Sequence, residues 1–279
     1  MIRPFQKIVI LGRRSDPRAT EPMDLLSEHL TKASMDLLSE GDMAQADLVI
    51  AIGGDGTMLY ASRAAREFGT PILGINRGRL GFLADVTPDE MLTSIDHVLE
   101  GNYSTDSRLM LEAKLLRDDG QEVLAYALND IVLQRRETGR MVDFETRVDK
   151  RYVNTHSGDG LIIATPTGST AYSLSCGGPI IEPQLDAVAL VPICPHTLTD
   201  RPVVISADRS IEVSLLQRDD TKAEITVDGF SMGSIKPNDK MQISAANKRV
   251  TLVHPPGYDF YEILRSKLFW GRDNRKRET

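Results

Sequence analysis

The chain has 279 residues, 41% of them hydrophobic and 26% charged, the profile of an ordinary globular protein with room for two modest domains. A formal net charge of −7, from 33 Lys and Arg against 40 Asp and Glu, argues against a nucleic-acid partner, and the basic run Arg272 to Arg277 reads as a solvated terminus. With Cys176 and Cys194 alone there is no disulfide framework, no apolar stretch approaches a membrane span, and no signal-peptide pattern opens the chain, so a cytoplasmic protein that engages no membrane is expected.

Residues 6–12, QKIVILG, read as a buried first strand, but no G-x-G-x-x-G follows Gly12. Leu26, Leu30, Ala33 and Leu37 keep helical spacing, which predicts a crossover helix over 23–39. A second strand over 47–52, a helix reaching about Phe68 and a third strand over 71–75 complete a β-α-β-α-β pattern, the mark of a Rossmann-like α/β half. The third strand ends in another glycine-spaced loop, Asn76 to Ala84, expected on the same edge as the loop after the second strand. Its Arg77 and Arg79 either meet phosphates or are simply solvated. One more helix, Pro88 to Leu99, is stopped by Gly101.

Beyond Gly101 the periodicity changes to β type. Runs at 109–116 and 123–133 flank the turn Asp118-Asp119-Gly120, and 142–148 alternates apolar with polar. Short strands recur at 160–164, 187–193, 202–206, 210–216, 223–228, 240–244 and 249–253, the pattern of an all-β sandwich or open barrel. Tyr258 to Trp270 reads as a terminal helix. The expected architecture is α/β plus all-β: a Rossmann-like α/β domain over 1–101, a larger β-sandwich-like domain over 102–257, and a last helical segment over 258–279.

Three stretches carry chemistry. Leu48 to Ile52 leads straight into Gly53-Gly54-Asp55-Gly56-Thr57, and a helix start follows. Strand, tight loop and helix aim backbone N–H groups and a positive helix end at a phosphate. Glycines there let the phosphate approach the backbone, so Gly53, Gly54, Gly56 and Thr57 are the expected phosphate-binding residues. Asp55 is left as one anionic side chain at the carboxyl end of a strand, where open α/β sheets bind ligands. The alternative is a tight turn in which Asp55 only caps the helix. Asn129-Asp130 interrupts an otherwise apolar strand, so one of the two polar groups turns inward unless the pair lies exposed at a sheet edge or a strand end. The densest stretch, Ser157 to Pro183, is small, polar and rich in glycine and proline. Its hydroxyls and amides suit phosphates, Tyr172 suits a planar base, and Ser169 or Thr170 is placed to cap the helix carrying Tyr172 and Leu174. Asp159 suits a ligand amine or ribose hydroxyl, or is a plain turn residue, and His196 and Arg201 suit a junction between domains or subunits. Neither cysteine has metal-ligand spacing with a histidine.

Together these stretches resemble the bacterial NAD kinases, ATP- or polyphosphate-dependent, in GGDGT at 53–57, GINRGRLGFLADV at 74–86, LNDIVL at 128–133, GDGLIIATPTGSTAYSLSCGGPII at 158–181 and PHTLTDRP at 195–202. Their order and spacing extend the resemblance over nearly the whole chain. It implies phosphoryl transfer from ATP or polyphosphate to the 2′-hydroxyl of the adenosine ribose of NAD, giving NADP, with Mg²⁺ or another divalent cation carried mainly by the nucleotide. It further implies that Asp55 is the catalytic carboxylate, with Gly56 beside the substrate, and that the terminal helix packs back on the first domain. Asn129 and Asp130 match the pair that binds NAD, Asp159 the aspartate near the nicotinamide, and Thr170, Ala171, Tyr172, Ser173, Leu174 and Ser175 the segment lining the adenosine, with Phe82 as an apolar wall. Arg140 and Ser157, which fall where family members vary, are further expected NAD contacts, as is Phe230, which stands where relatives often carry a polar residue. The resemblance also implies a homo-oligomer, a dimer or tetramer. Two rival readings are a lipid kinase, which would want an apolar membrane-facing entrance, and a dinucleotide sensor, which would have no use for Asp55.

Overall fold

The computed structural model describes residues 4–77, 81–136, 141–216 and 222–270. It divides into two compact units, Met1–Asp106 with Thr251–Thr279, and Ser107–Val250. Strands and helices are numbered here along the chain.

In the first unit, β1 (Lys7–Gly12), β2 (Asp36–Leu38), β3 (Leu48–Gly53), β4 (Ile72–Asn76), β5 (Ser104–Arg108) and β18 (Val250–His254) form a sheet in the order β2-β1-β3-β4-β18-β5. The neighbours β2/β1, β1/β3, β3/β4 and β4/β18 are parallel. All six residues of β3 are buried, so the sheet must be covered on both faces. Ile8, Ile50, Ile52, Leu73 and Ile75 pack with Leu26 and Leu30 of α1 (Pro17–Lys32) and with Ile95 and Val98 of α3 (Met91–Leu99). Gly74 alternates with Leu73 and Ile75 and so faces the other way, where Met58 of α2 (Asp55–Ala65) presses against it. Because β3 and β4 are parallel neighbours, the loops that leave them emerge on the same edge. α5 (Phe260–Leu268) buries Ile263 and Leu264 within this unit, and the Asp259 carboxylate accepts the Tyr261 amide at its start, 2.8 Å away.

Two local features differ from the sequence reading. The first helix begins at Pro17, not near residue 23, because Asp16 caps it by accepting the Arg18 amide at 3.1 Å and Pro17 is suited to a first helical position. It ends at Lys32, and Ser34 follows with φ 60°, so Leu37 lies instead in the short edge strand β2. The run at 249–253, grouped by pattern with the β-type strands, becomes β18 and joins the parallel sheet beside β4.

The second unit holds two antiparallel sheets. One takes β6 (Leu111–Leu116), β7 (Glu122–Ala127), β9 (Val142–Val148), β10 (Arg151–Gly158), β14 (Ile211–Leu215) and β17 (Lys240–Ala245), in the order β10-β9-β14-β17-β6-β7. The other takes β8 (Asp130–Arg135), β11 (Gly160–Ala164), β12 (Ala187–Ile193), β13 (Val203–Ser206), β15 (Ala223–Val227) and β16 (Phe230–Ile235), in the order β13-β12-β11-β8-β15-β16. Alternate residues of both sheets share one hydrophobic cluster: Leu111, Ala113 and Leu115 of β6 and Phe144 of β9 meet Ile131, Leu133, Leu161 and Ile163 of β8 and β11. The opposite face of the β8-containing sheet is also covered, since Val132, Ile162, Ala164, Ala189, Val191 and Ile193 form a separate cluster with Ile181. Burial on both faces is why β8, β11 and β12 read as continuous apolar runs.

The run at 123–133 is not one strand. It breaks at Leu128-Asn129, where β7 leaves one sheet and β8 enters the other. Asn129 and Asp130 therefore stand at a sheet-to-sheet crossing, not inside a regular strand.

Candidate active site

In the first unit, Asp55 is the first residue of α2, directly after β3, and the N-cap is Gly54. The carboxylate makes no capping bond. It accepts the amide hydrogens of Leu83 (3.1 Å) and Phe82 (3.3 Å), on the segment that leaves β4. The bare turn with an Asp55 cap is thereby excluded. Gly81 is buried, and a Cβ there would strike the Asp55 carboxylate. A Cβ on Gly53 would strike the Thr57 side chain, so this glycine is required by the fold of the loop itself. Gly56 is exposed and Gly54 half-buried at the start of α2, where first-turn amides lack intrahelical acceptors. Arg77 is committed elsewhere, paired with the Asp16 carboxylate that caps α1. Arg79 lies outside the described residues, as does Arg140.

In the second unit the crossing at Leu128-Asn129 leaves backbone groups that no ladder satisfies. Asp228 takes three of them: its carboxylate accepts the amides of Leu128 (2.8 Å), Asn129 (2.8 Å) and Asp130 (3.1 Å). Its own amide donates to the Asp130 carbonyl at 3.0 Å. From the other side the Thr165 hydroxyl donates to the Leu128 carbonyl, and the Thr165 amide to the Asn129 carbonyl at 2.9 Å. Gly168 lies so close to the Asn129 backbone that a Cβ would overlap it. Asp130 itself is buried, and burial first, then the neighbouring Asp228 charge, pushes its carboxyl up to about 7.

The remaining expected residues are placed as follows. Asp159 forms a two-point ion pair with Arg135, Nε to Oδ1 at 3.0 Å and Nη2 to Oδ2 at 3.2 Å. The Ser157 hydroxyl donates to Asp143. Ser169 and Thr170 do not cap α4 (Tyr172–Ser175), whose N-cap is Ala171. The Ser169 hydroxyl is instead held between the Pro166 carbonyl (2.6 Å) and the Ile181 amide (3.0 Å), and the Thr170 hydroxyl donates to the Thr167 carbonyl at 3.2 Å. Ser173 is fully buried, Leu174 and Phe82 are half-buried, and Tyr172 and Phe230 are exposed. His196 and Arg201 make local contacts: the His196 amide donates to the Ser157 carbonyl at 2.8 Å, and Arg201 bonds the Leu198 and Asp200 carbonyls of its own loop at 2.7 Å.

Sequence reasoning missed Asp228, Thr165, Gly168, Arg135 and Gly81 as supports of the site. A signal existed for Asp228, since Asp-Gly between two β-type runs marks a tight turn, but nothing local says where its carboxylate points.

Residues 14–103 match the family model of the ATP-NAD kinase N-terminal domain, and residues 128–255 that of the ATP-NAD kinase C-terminal domain. The NAD kinase of Nitrosococcus oceani is 39% identical, over 98% of this chain and 99% of its own length. Yeast NADH kinase, solved in complex with NADH, shares the fold with a TM-score of 0.90 at 24% identity, over 98% of this chain and 90% of its own. An NAD kinase from Archaeoglobus fulgidus, solved in complex with ATP, superposes with a TM-score of 0.77 at 26% identity, over 95% of this chain and 98% of its own. Both family domains in order, and a relative alike from end to end, lead to one conclusion: this chain belongs to the NAD kinase family.

Proposed function

We infer that this chain is an NAD kinase that transfers the terminal phosphoryl group of ATP to the 2′-hydroxyl of the adenosine ribose of NAD, making NADP. The observation that carries the reading is Asp55, a carboxylate at the carboxyl end of a parallel strand, fixed by two backbone amides rather than spent on a helix cap. A ribose hydroxyl is a weak nucleophile, and phosphoryl transfer through a loose transition state depends mainly on positioning and on neutralising charge. Asp55 orients the hydroxyl and accepts its proton as the bond to phosphorus forms. The amides of Gly54, Asp55 and Gly56 at the start of α2 offer hydrogen bonds to phosphate oxygens, and the parallel order around β1, β3 and β4 supports a Rossmann-like reading of this unit.

Asn129 and Asp130 hold the dinucleotide, with the 170–175 segment along its adenosine and Asp159, steadied by Arg135, toward the nicotinamide. The divalent cation that membership of the family implies would be carried mainly by the nucleotide phosphates. That ion would supply charge neutralisation on the phosphates. Among the described residues no helix is long and apolar enough to cross a membrane.

The test is NADP formation by the purified chain with NAD, ATP and Mg²⁺, read through an NADP-specific dehydrogenase, beside Asp55→Asn. The variant is expected to fold normally and to lose about 10²–10⁴ in kcat, the range for a removed general base. Turnover close to that of the parent chain would remove Asp55 from the chemistry.

A further inference from the structure

Asp228 sits in a turn that does not need a carboxylate. Asp228 and Gly229 have φ of 50° and 80° and join β15 to β16 as a two-residue hairpin, a conformation that Asn-Gly or Gly-Gly would adopt as readily. Its side chain also lies close enough to Asp130 for the two charges to repel. The turn conformation itself would be met equally well by a neutral residue. What a carboxylate adds is an acceptor for three successive amides at the sheet crossing, two on Oδ1 and one on Oδ2. Thr165 holds the carbonyls of the same short segment from the other side. The backbone that carries Asn129 and Asp130 is thus gripped on both its donor and its acceptor groups.

We propose that Asp228 is a positioning residue for dinucleotide binding: by collecting the amides of Leu128, Asn129 and Asp130 it sets the direction in which the Asn129 and Asp130 side chains present themselves. The proposal rests on the reading that this pair binds NAD. Asp228 acts through the pair and has no contact with the phosphoryl group in transit, so its loss weakens NAD binding and spares the ATP side of the reaction. Its charge also adds to the burial that already raises the Asp130 carboxyl, and the Cys176 thiol is a further titratable group near Asp130.

The experiment compares the full chain with Asp228→Asn and Asp228→Ser, and with Asp130→Asn, measuring kcat and KM for NAD and for ATP from pH 5.5 to 9, with thermal unfolding as the check on folding. Asp228→Asn keeps the shape but turns one acceptor into a donor facing an amide, and removes the charge. The expected result is a KM for NAD raised about tenfold, the loss of roughly one buried hydrogen bond, with KM for ATP within about twofold. The inflection of KM for NAD against pH, near 7 in the parent chain, moves down, because the repelling charge beside Asp130 is gone. An unchanged KM for NAD and pH profile in Asp228→Asn, or loss of the fold in both Asp228 variants, would overturn the proposal and leave Asp228 an architectural residue. If Asp130→Asn also leaves KM for NAD unchanged, the assignment of the pair is what fails; if Asp130→Asn raises it and Asp228→Asn does not, the assignment stands and the positioning role falls.

Discussion

Each unit of this protein contains a carboxylate that receives consecutive backbone amides, and the two are used differently. Asp55 takes the amides of Phe82 and Leu83 and is itself the group proposed to meet the substrate. Asp228 takes those of Leu128, Asn129 and Asp130 and stands behind the pair proposed to hold the dinucleotide. In the first case the backbone aims a side chain; in the second a side chain aims the backbone. A small residue completes each arrangement, Gly81 against the Asp55 carboxylate and Gly168 against the Asn129 main chain. That symmetry allows the two to be broken separately.

The larger effect is expected at Gly81. In Gly81→Ala the new methyl group and the Asp55 carboxylate compete for one space, and the side chain, being the freer of the two, is displaced. A shift on the order of 1 Å in a reacting group costs about 10²-fold. The loss should appear in kcat, with KM for NAD little altered and the unfolding temperature kept. A rise in KM for NAD with kcat intact would mean that Asp55 and Gly81 are not coupled in this way.

Gly168→Ala addresses the other arrangement. The obstacle here is main chain rather than a flexible side chain, so the Asn129 segment must move or the TPTGST loop must lift away. Overpacking of this kind costs about 1–3 kcal/mol. The signature is the reverse of that at Gly81: KM for NAD rises about tenfold and kcat at saturation changes little. Equal losses of kcat in both alanine variants would erase the distinction between them.

Much of the α/β unit was legible because β1, β3 and β4 are central strands whose apolar runs end in glycine-rich loops. The strands that the sequence did not announce, β2, β5, β10 and β16, all lie at the edge of a sheet. An edge strand packs one side only and needs no apolar pattern, as Ser104–Arg108, STDSR, shows. The Asn129-Asp130 pair was legible as polar residues in an apolar run, but the run concealed a crossing between two sheets. Side-chain periodicity continues through such a crossing while the hydrogen-bond partners change, so only the backbone reveals it. The supports fail for a related reason. Asp228 and Thr165 lie 98 and 35 residues from Asp130, and local pattern holds no information on contacts that distant.

The smallest expected effect concerns stability and separates the two carboxylates by charge. Asp130 is buried beside Asp228 and titrates at about 7 rather than at its ordinary 3.8. An acid whose pKa is higher in the folded state binds a proton on folding, so its contribution is most favourable at low pH. It falls as pH rises from about 4 to about 7 and levels off above that. Asp130→Asn removes this dependence. The variant should therefore gain on the parent chain as pH rises, with the gap between their unfolding temperatures smallest at pH 4 and widening by several degrees between pH 5 and pH 8.5, a change on the order of 2–3 kcal/mol. Parallel curves for the two proteins across that range would show that Asp130 stays ionised in the folded chain, and the repulsion assigned to Asp228 would then be offset by groups beyond the pair.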